Sequence, residues 1–307
     1  MALSLGIDVG GTNIRFGVFD DKKIIEITRL EANIGEVCKA LTFDTAPAEV
    51  IRILSAETLK LVKKYPAIQV VGIGFPGFID PKTKLIMQSP NLPHLKDFDL
   101  GAQLSRAIHL PVVVENDANA AAFGEYCLLN NASESLIYIG LGTGVGGGLV
   151  LNGGVYAGQH GCAMEVGHII VKPNGRACGC GNLGCMETYA SATGVSASYF
   201  EFTNKQKTAA EIAALADAGD KHAILAYQNA ANALAQALAN ILKVVDVTNV
   251  VIGGGMSHAW HLMQATFDAR LEADLIPVLR GKIQVKLSTA NDTAGMLGAA
   301  MMADFSA

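Results

Sequence analysis

Apolar and polar positions alternate through the opening stretch LSLGIDVGGTNIRFGVFD, with Leu5 and Ile7 before a glycine turn and Ile14, Phe16 and Val18 after it. A period of two predicts strand, turn, strand. Between residues 48 and 64 the period lengthens: Val50, Ile51, Leu54, Leu61 and Val62 recur at helical spacing. IQVVGIGFPG is an unbroken apolar run closed by a glycine–proline turn, the pattern of a strand covered on both faces in a parallel sheet. LGAQLSRAIHL then predicts a short helix and PVVVEND another buried strand. Residues 1 to about 117 therefore alternate strand and helix, an α/β pattern.

The pattern restarts about 130 residues later in ESLIYIGLGTGVGGGLVLNG. Setting Gly10 against Gly142 aligns Ile7 with Ile139, Leu5 with Ile137 and Val18 with Val150. A repeat this long predicts two related domains rather than a solenoid, and a cleft between domains is a preferred ligand site. An alanine-rich helical stretch follows over 207–245, in two pieces broken near Asp217–Gly219, with Leu234, Leu238, Ile241 and Leu242 as one apolar stripe. NVVIGGGMS reads as a buried strand ending in three glycines, and NDTAGMLGAAMMAD as a final helix whose methionines fill core.

Composition narrows the class. The 307 residues are 50% hydrophobic and 17% charged, which describes a globular chain. The net charge of −5 argues against a broad nucleic-acid surface. No signal-like N-terminus precedes the first strand. The uncharged segment that best mimics a membrane span, SLIYIGLGTGVGGGLVLNGG, is too rich in glycine and turn signals to read as one. A cytoplasmic protein is expected, where structural disulfides are disfavoured. Cys38, Cys127 and Cys162 are isolated among apolar or small residues and read as buried small hydrophobes.

Candidate chemistry gathers in three places. Three glycine loops follow predicted strands: DVGGTN (8–13), GTGVGGG (142–148) and GGG (253–255). Glycines let backbone N–H groups approach phosphate oxygens. None of the loops matches the Walker pattern, and the first two run into a strand rather than the helix of a dinucleotide fold. Asp8, beside the first loop, suits Mg²⁺ or simply caps the turn. Asn116 and Asp117 follow a buried strand, where α/β proteins place their chemistry, although Asp117 also suits a helix N-cap. Finally, Cys178, Cys180 and Cys185 lie downstream of His168, flanked by Glu165 and Glu187. Cys178 and Cys180 are too close for an easy disulfide. Three thiolates and an imidazole make a closed structural Zn²⁺ shell, with redox sensing and inert cysteines as alternatives.

Together GIDVGGTNIRFGVFD, GIGFPGFID, SPNLP, ENDANAAAFGE, GLGTGVGGGLVLNG, EVGHI, CGCGNLGCMETYAS and VVIGGGMS resemble the ROK family of sugar kinases and regulators, near its bacterial glucokinase-like members. The resemblance implies an actin-like ATPase (ribonuclease H-like) fold, two related α/β domains around a cleft: 1–117 plus 292–307, and 118–291. It implies ATP-dependent phosphorylation of a hexose, glucose to glucose 6-phosphate first, with Asp117 as general base. Gly77, Asn91, Asn116, Asp117, Glu165, His168 and Glu187 would bind sugar, His168 using one ring nitrogen for zinc and the other for sugar. Asp8, Gly10, Gly11, Thr12 and Asn13, with Gly142, Thr143 and Gly144, would hold the phosphates of ATP with Mg²⁺. Gly254 and Gly255 would lie near the adenosine. His168, Cys178, Cys180 and Cys185 would bind Zn²⁺. A homodimer is implied, and closure is expected, because a kinase must keep water from the γ-phosphate. His94 and Leu95 follow NLP where many members have an aromatic residue or glycine, and His94 reads as a surface loop residue. Fructose, mannose, allose and N-acetylated hexosamines stand as alternative substrates. A sugar-responsive transcriptional regulator lacking its DNA-binding segment is a further alternative.

Overall fold

The computed structural model describes residues 2–129, 135–290 and 293–306. The chain forms two compact units. The first comprises Met1–Glu134, Gly148–Ala163 and Ala290–Ala307, and the second Ser135–Gly147 and Met164–Thr289.

In the first unit the predicted strands appear as β1 (Leu3–Val9) and β2 (Asn13–Asp20), joined by the first glycine loop. They pair antiparallel, Leu5 with Val18 and Ile7 with Phe16, and these side chains are buried. β3 (Lys23–Glu31) extends the hairpin as an edge strand, with Ile24, Ile25 and Ile27 exposed. α1 (Ile34–Ala40) and α2 (Ala46–Lys64) follow. Val50, Leu54 and Leu61 of α2 enter the core. β4 (Ile68–Phe75) is the apolar run, buried except at Gln69 and parallel to β1. A small antiparallel sheet of β5 (Phe78–Ile79), β6 (Ile86–Gln88) and β7 (Lys96–Phe98) comes next. α3 (Leu100–Ile108) then leads into β8 (Val112–Asn116) and α4 (Asp117–Cys127). The main sheet has the order β3-β2-β1-β4-β8.

The second unit opens with β9 (Leu136–Leu141) and the second glycine loop. Along β10 (Val145–Leu151) the chain passes into the first unit, where Val150 pairs with Val155 of β11 (Gly154–Val155). Back in the second unit, α5 (Glu187–Ala190) and α6 (Ala192–Thr203) precede the alanine-rich stretch. That stretch is α7 (Ala209–Asp217) and α8 (Lys221–Val245), broken where the sequence predicts. Thr208 and Glu211 form a reciprocal capping box at the start of α7. β12 (Asn249–Gly253) runs parallel to β9, as β4 does to β1, so the repeat reaches the sheet pairing. α9 (Gln264–Asp274) and β13 (Gln284–Leu287) complete the unit, β13 pairing with β12.

The last helix, α10 (Ala294–Ser306), packs in the first unit against α4, β1 and β4. Glycines permit this approach. A Cβ on Gly298 would lie 1.7 Å from the Ala120 carbonyl oxygen of α4, and one on Gly6 of β1 would lie 1.9 Å from that of Met296. This packing puts α4 with the first unit, whereas the sequence division ends that unit's first segment at Asp117. The other division, between 291 and 292, lies outside the described residues.

Candidate active site

β8 ends where α4 begins, and Asn116 joins them. Asn116 is the N-cap: its Oδ1 accepts from the backbone N–H groups of Ala118 and Asn119 at 2.9 and 3.0 Å. The cap role considered for Asp117 therefore belongs to its neighbour. Asp117 is the first helical residue, its Oδ1 accepting from the Ala118 N–H at 2.9 Å. The helix N-terminus favours negative charge there. Asn116 Nδ2 donates to the Gly77 carbonyl at 3.1 Å. Gly77 has φ +145°, and a Cβ on it would sit 2.7 Å from the Gln88 carbonyl oxygen, so only glycine closes this corner. Gly77, Asn116 and Asp117 are thus brought together in the first unit. Asn91, in the same unit, is exposed after Ser89, whose carbonyl accepts from the Leu92 N–H.

The first glycine loop is held through its carbonyls. Gly11 O accepts from Gly35 N–H, and Thr12 O from the N–H groups of Ala32 and Asn33. A Cβ on Gly11 would meet nothing within 4 Å, so the loop faces open space there. Asn13 Oδ1 accepts from Arg29 Nε at 3.1 Å. Asp8 Oδ2 pairs with Arg15 Nη1 at 3.2 Å. Gly295 in the first turn of α10 makes room for this carboxylate, since a Cβ there would lie 3.1 Å from Asp8 Cγ. A small carboxylate cradle beside a glycine loop is the donor type Mg²⁺ prefers.

In the second unit, His168, Cys178, Cys180 and Cys185 turn one ligand atom each toward a common point, all within 4.8 Å of one another. Cys180 Sγ lies 3.6 Å from Cys185 Sγ, and Cys178 Sγ lies 3.6 Å from His168 Nδ1. Zinc–sulfur bonds of about 2.3 Å and a zinc–nitrogen bond of about 2.0 Å in a tetrahedron imply ligand spacings of about 3.5–3.8 Å. The residues fit the ion. Burial pushes the Cys185 thiol up to about 12, while a backbone hydrogen bond from Asn182 leads the lowering of Cys180. The loop is also knit without metal: Arg176 Nη1 donates to the carbonyls of Thr188 and Gly194, and its Nε and Nη2 grip Glu201.

His168 Nε2 faces away from the sulfurs, 3.7 Å from Glu165 Oε2. Burial raises Glu165 above the usual carboxylate range, His168 opposing and Glu187 reinforcing the shift. Glu187 begins α5, and its Oε2 accepts from the Val145 N–H at 2.9 Å. The same segment holds the second glycine loop: Ala192 N–H donates to Gly142 O, and Thr193 Oγ1 donates to Thr143 O at 2.8 Å. Thus Glu165, His168, Glu187 and the loop Gly142, Thr143, Gly144 are neighbours. Gly254 and Gly255 follow β12, and a Cβ on Gly254 would lie 2.4 Å from the carbonyl oxygen of Leu141, beside that loop. Gly254 has φ +82°, and a Cβ on Gly255 would meet nothing within 4 Å.

The sequence profile of the ROK family matches residues 4–305. The chain belongs to the ROK family. It is 33% identical to the glucokinase of Halalkalibacterium halodurans, over 96% of this chain and 92% of that one. It is also 33% identical to the N-acetyl-D-glucosamine kinase of Salmonella paratyphi B, over 97% of this chain and 98% of that one. A solved ROK family glucokinase from Streptomyces griseus, in complex with glucose and AMPPNP, shares the fold with a TM-score of 0.80 and 29% identity, covering 99% of this chain and 100% of that one. The actin-like ATPase fold expected from the sequence is the fold of this ROK protein.

Some features of this ROK chain escaped the sequence reading. Glu115 lies inside ENDANAAAFGE, and a charged residue closing a valine run is the available signal for it. Its partner Lys84 sits in a turn with no pattern around it, and Arg176 is one charge among glycines. His94 is half-buried rather than on the surface. It has φ +71°, lies edge-on to Phe43 at 4.6 Å and buries its Nδ1. Cys162 is exposed rather than buried. Among the described residues no helix is long and apolar enough to cross a membrane.

Proposed function

We propose that this protein phosphorylates the 6-hydroxyl of a hexose, glucose first, with Asp117 as general base. It is an ATP-dependent sugar kinase by kinship over nearly its whole length with glucokinases, N-acetyl-D-glucosamine kinases and a glucokinase solved with glucose and AMPPNP. The observation that carries the base assignment is Asp117 on the first residue of α4, at the carboxyl end of the parallel edge strand β8, braced by Asn116 on Gly77. In this reading the Asp117 carboxylate takes the proton of the sugar hydroxyl as that oxygen bonds to the γ-phosphorus. The bond from that phosphorus to the bridging oxygen breaks and ADP leaves. Gly77, Asn91, Asn116, Glu165, His168 and Glu187 bind the sugar hydroxyls, which need partners once desolvated.

Asp8 with Gly10, Gly11, Thr12 and Asn13, and the loop Gly142, Thr143 and Gly144, bind the phosphates; Gly254 and Gly255 approach the adenosine. Mg²⁺ bound with ATP supplies neutralising charge, with Asp8 as its protein neighbour. Zn²⁺ on His168, Cys178, Cys180 and Cys185 supplies a staple that fixes the flanks of Glu165 and Glu187. We propose a cytoplasmic homodimer without nucleic-acid partners, consistent with free cysteines and a charge of −5.

N-acetylated hexosamine is the second reading, since the glucokinase and the N-acetyl-D-glucosamine kinase above share the same 33% identity with the chain. ADP release across glucose, mannose, fructose, allose and N-acetylglucosamine decides between them, with Asp117→Asn as the paired variant. Glucose is expected to give the highest kcat/KM, and Asp117→Asn to lose about 10²–10⁴-fold in kcat. Preference for the N-acetylated sugar replaces the first reading with the second, and full activity of Asp117→Asn removes the base.

A further inference from the structure

Glu115 lies one strand position before Asn116 and is only 5% exposed. A carboxylate at that depth persists where its oxygens are met. Oε1 accepts from the backbone N–H of Asn116 and from Asn119 Nδ2, both at 3.1 Å. Oε2 accepts from Lys84 Nζ at 3.0 Å. Lys84 comes from the turn between β5 and β6, where it has φ +59°. Asp80 builds that turn. Its Oδ1 accepts from the N–H groups of Lys82 and Thr83, its carbonyl accepts from Lys84 N–H, and its own N–H donates to Leu85 O. The lysine is therefore presented on a formed loop rather than a free arm.

Three segments meet at this one carboxylate: the turn after β5, the end of β8 and the first turn of α4. Asn116 is tied from the other direction through Gly77. Asp117 follows directly, on backbone held from both directions. We infer that Glu115 and Lys84 are positioning residues for Asp117, the ion pair between the exposed lysine and the buried carboxylate fixing the peptide from which the base projects. The inference rests on Asp117 being the base, as proposed above.

The chemistry gives this pair its leverage. Removing the ammonium leaves a buried charge with only neutral donors, a costly state that the carboxylate relieves by turning away. Turning away releases the Asn116 N–H and Asn119 together, and both belong to the support of Asp117. Proton removal and in-line attack depend on sub-ångström placement, and a shift of about 1 Å costs about a hundredfold in rate. A pair that merely held the β5–β6 turn would affect stability and leave turnover alone.

The test measures kcat, both KM values and thermal melting of the full chain, using ATP and the hexose the wild type turns over best. Lys84→Met and Glu115→Gln are expected to lose about tenfold to a hundredfold in kcat, with both KM values within about threefold of wild type. Lys84→Arg, which keeps the cation, is expected to recover most of that loss. Unchanged kcat in Lys84→Met, or a loss confined to KM or to melting, overturns the inference. Should Lys84→Met fail to fold, Glu115→Gln decides by the same criterion, because the amide keeps the shape of the carboxylate. Inactive Asp117→Asn beside fully active Lys84→Met and Glu115→Gln overturns this inference alone. A fully active Asp117→Asn overturns the base assignment and the inference with it.

Discussion

Burial pushes the thiol of Cys127 up to about 11 and raises that of Cys38, while Cys162 is exposed. Because the thiolate is the reacting species, raised and covered thiols react slowly. Native protein treated with iodoacetamide at pH 7.5 is expected to be alkylated at Cys162 and spared at Cys38 and Cys127, read by peptide mass spectrometry. Labelling of Cys127 as fast as Cys162 would contradict this burial. The sequence did not separate the three, since each lies among small or apolar neighbours and exposure is a property of the loop rather than of the residue. Cys162 follows the turn at Gly161, which packs on the Ile79 carbonyl and leaves its neighbour outside. His94 differs for a similar reason: contact with Phe43, 51 positions earlier in the chain, covers part of its ring. The clustering of His168, Cys178, Cys180 and Cys185 was legible because their types and spacing carry chemistry. Lys84 was not, because its partner lies 31 positions away.

Elements whose period is long or whose run is wholly apolar were legible: β1, β2, β4, β8, β9, β10, β12, α2, α7 and α8 arise where the pattern predicts them. The β5-β6-β7 sheet was not, since strands of two or three residues present no period. The contact of α4 with α10 depends on missing side chains, which leave no hydrophobic mark. Gly298→Ala places a methyl 1.7 Å from the Ala120 carbonyl oxygen, so the helices must separate. The expected cost is at least about 1–3 kcal/mol, measured by urea unfolding; a stability equal to wild type would mean that the contact yields freely. The metal loop makes a second prediction at this scale. Wild type purified without chelator is expected to hold about one zinc per chain, and Cys178→Ser to lose it. Arg176 still ties the loop to Glu201, Thr188 and Gly194 in that variant. Metal loss is therefore expected to raise the sugar KM through Glu165, His168 and Glu187 without unfolding α6. Elemental analysis and circular dichroism check the two halves, and a zinc-free wild type would remove the metal from the account.

At the scale of the whole molecule, binding to the native state alone stabilises it by mass action. A hexose at a hundred times its Kd adds about 2.7 kcal/mol. Differential scanning is expected to show the transition rising with the preferred sugar and rising further with a non-hydrolysable ATP analogue. A transition unmoved by every hexose and the analogue together would count against both ligands. The repeat was legible at this scale as well: the alignment of Gly10 with Gly142 foresaw the matching of β1 and β2 to β9 and β10. The assignment of α4 and α10 to one unit was not, since it is decided by packing between segments far apart in sequence. That assignment orders events at the ribosome. The first unit takes its final helix from Ala294–Ser306, after the second unit has been delivered in full. Until then the sheet lacks the helix that covers it at Gly6 and Gly72, so the half synthesised first finishes folding last and needs shelter while it waits.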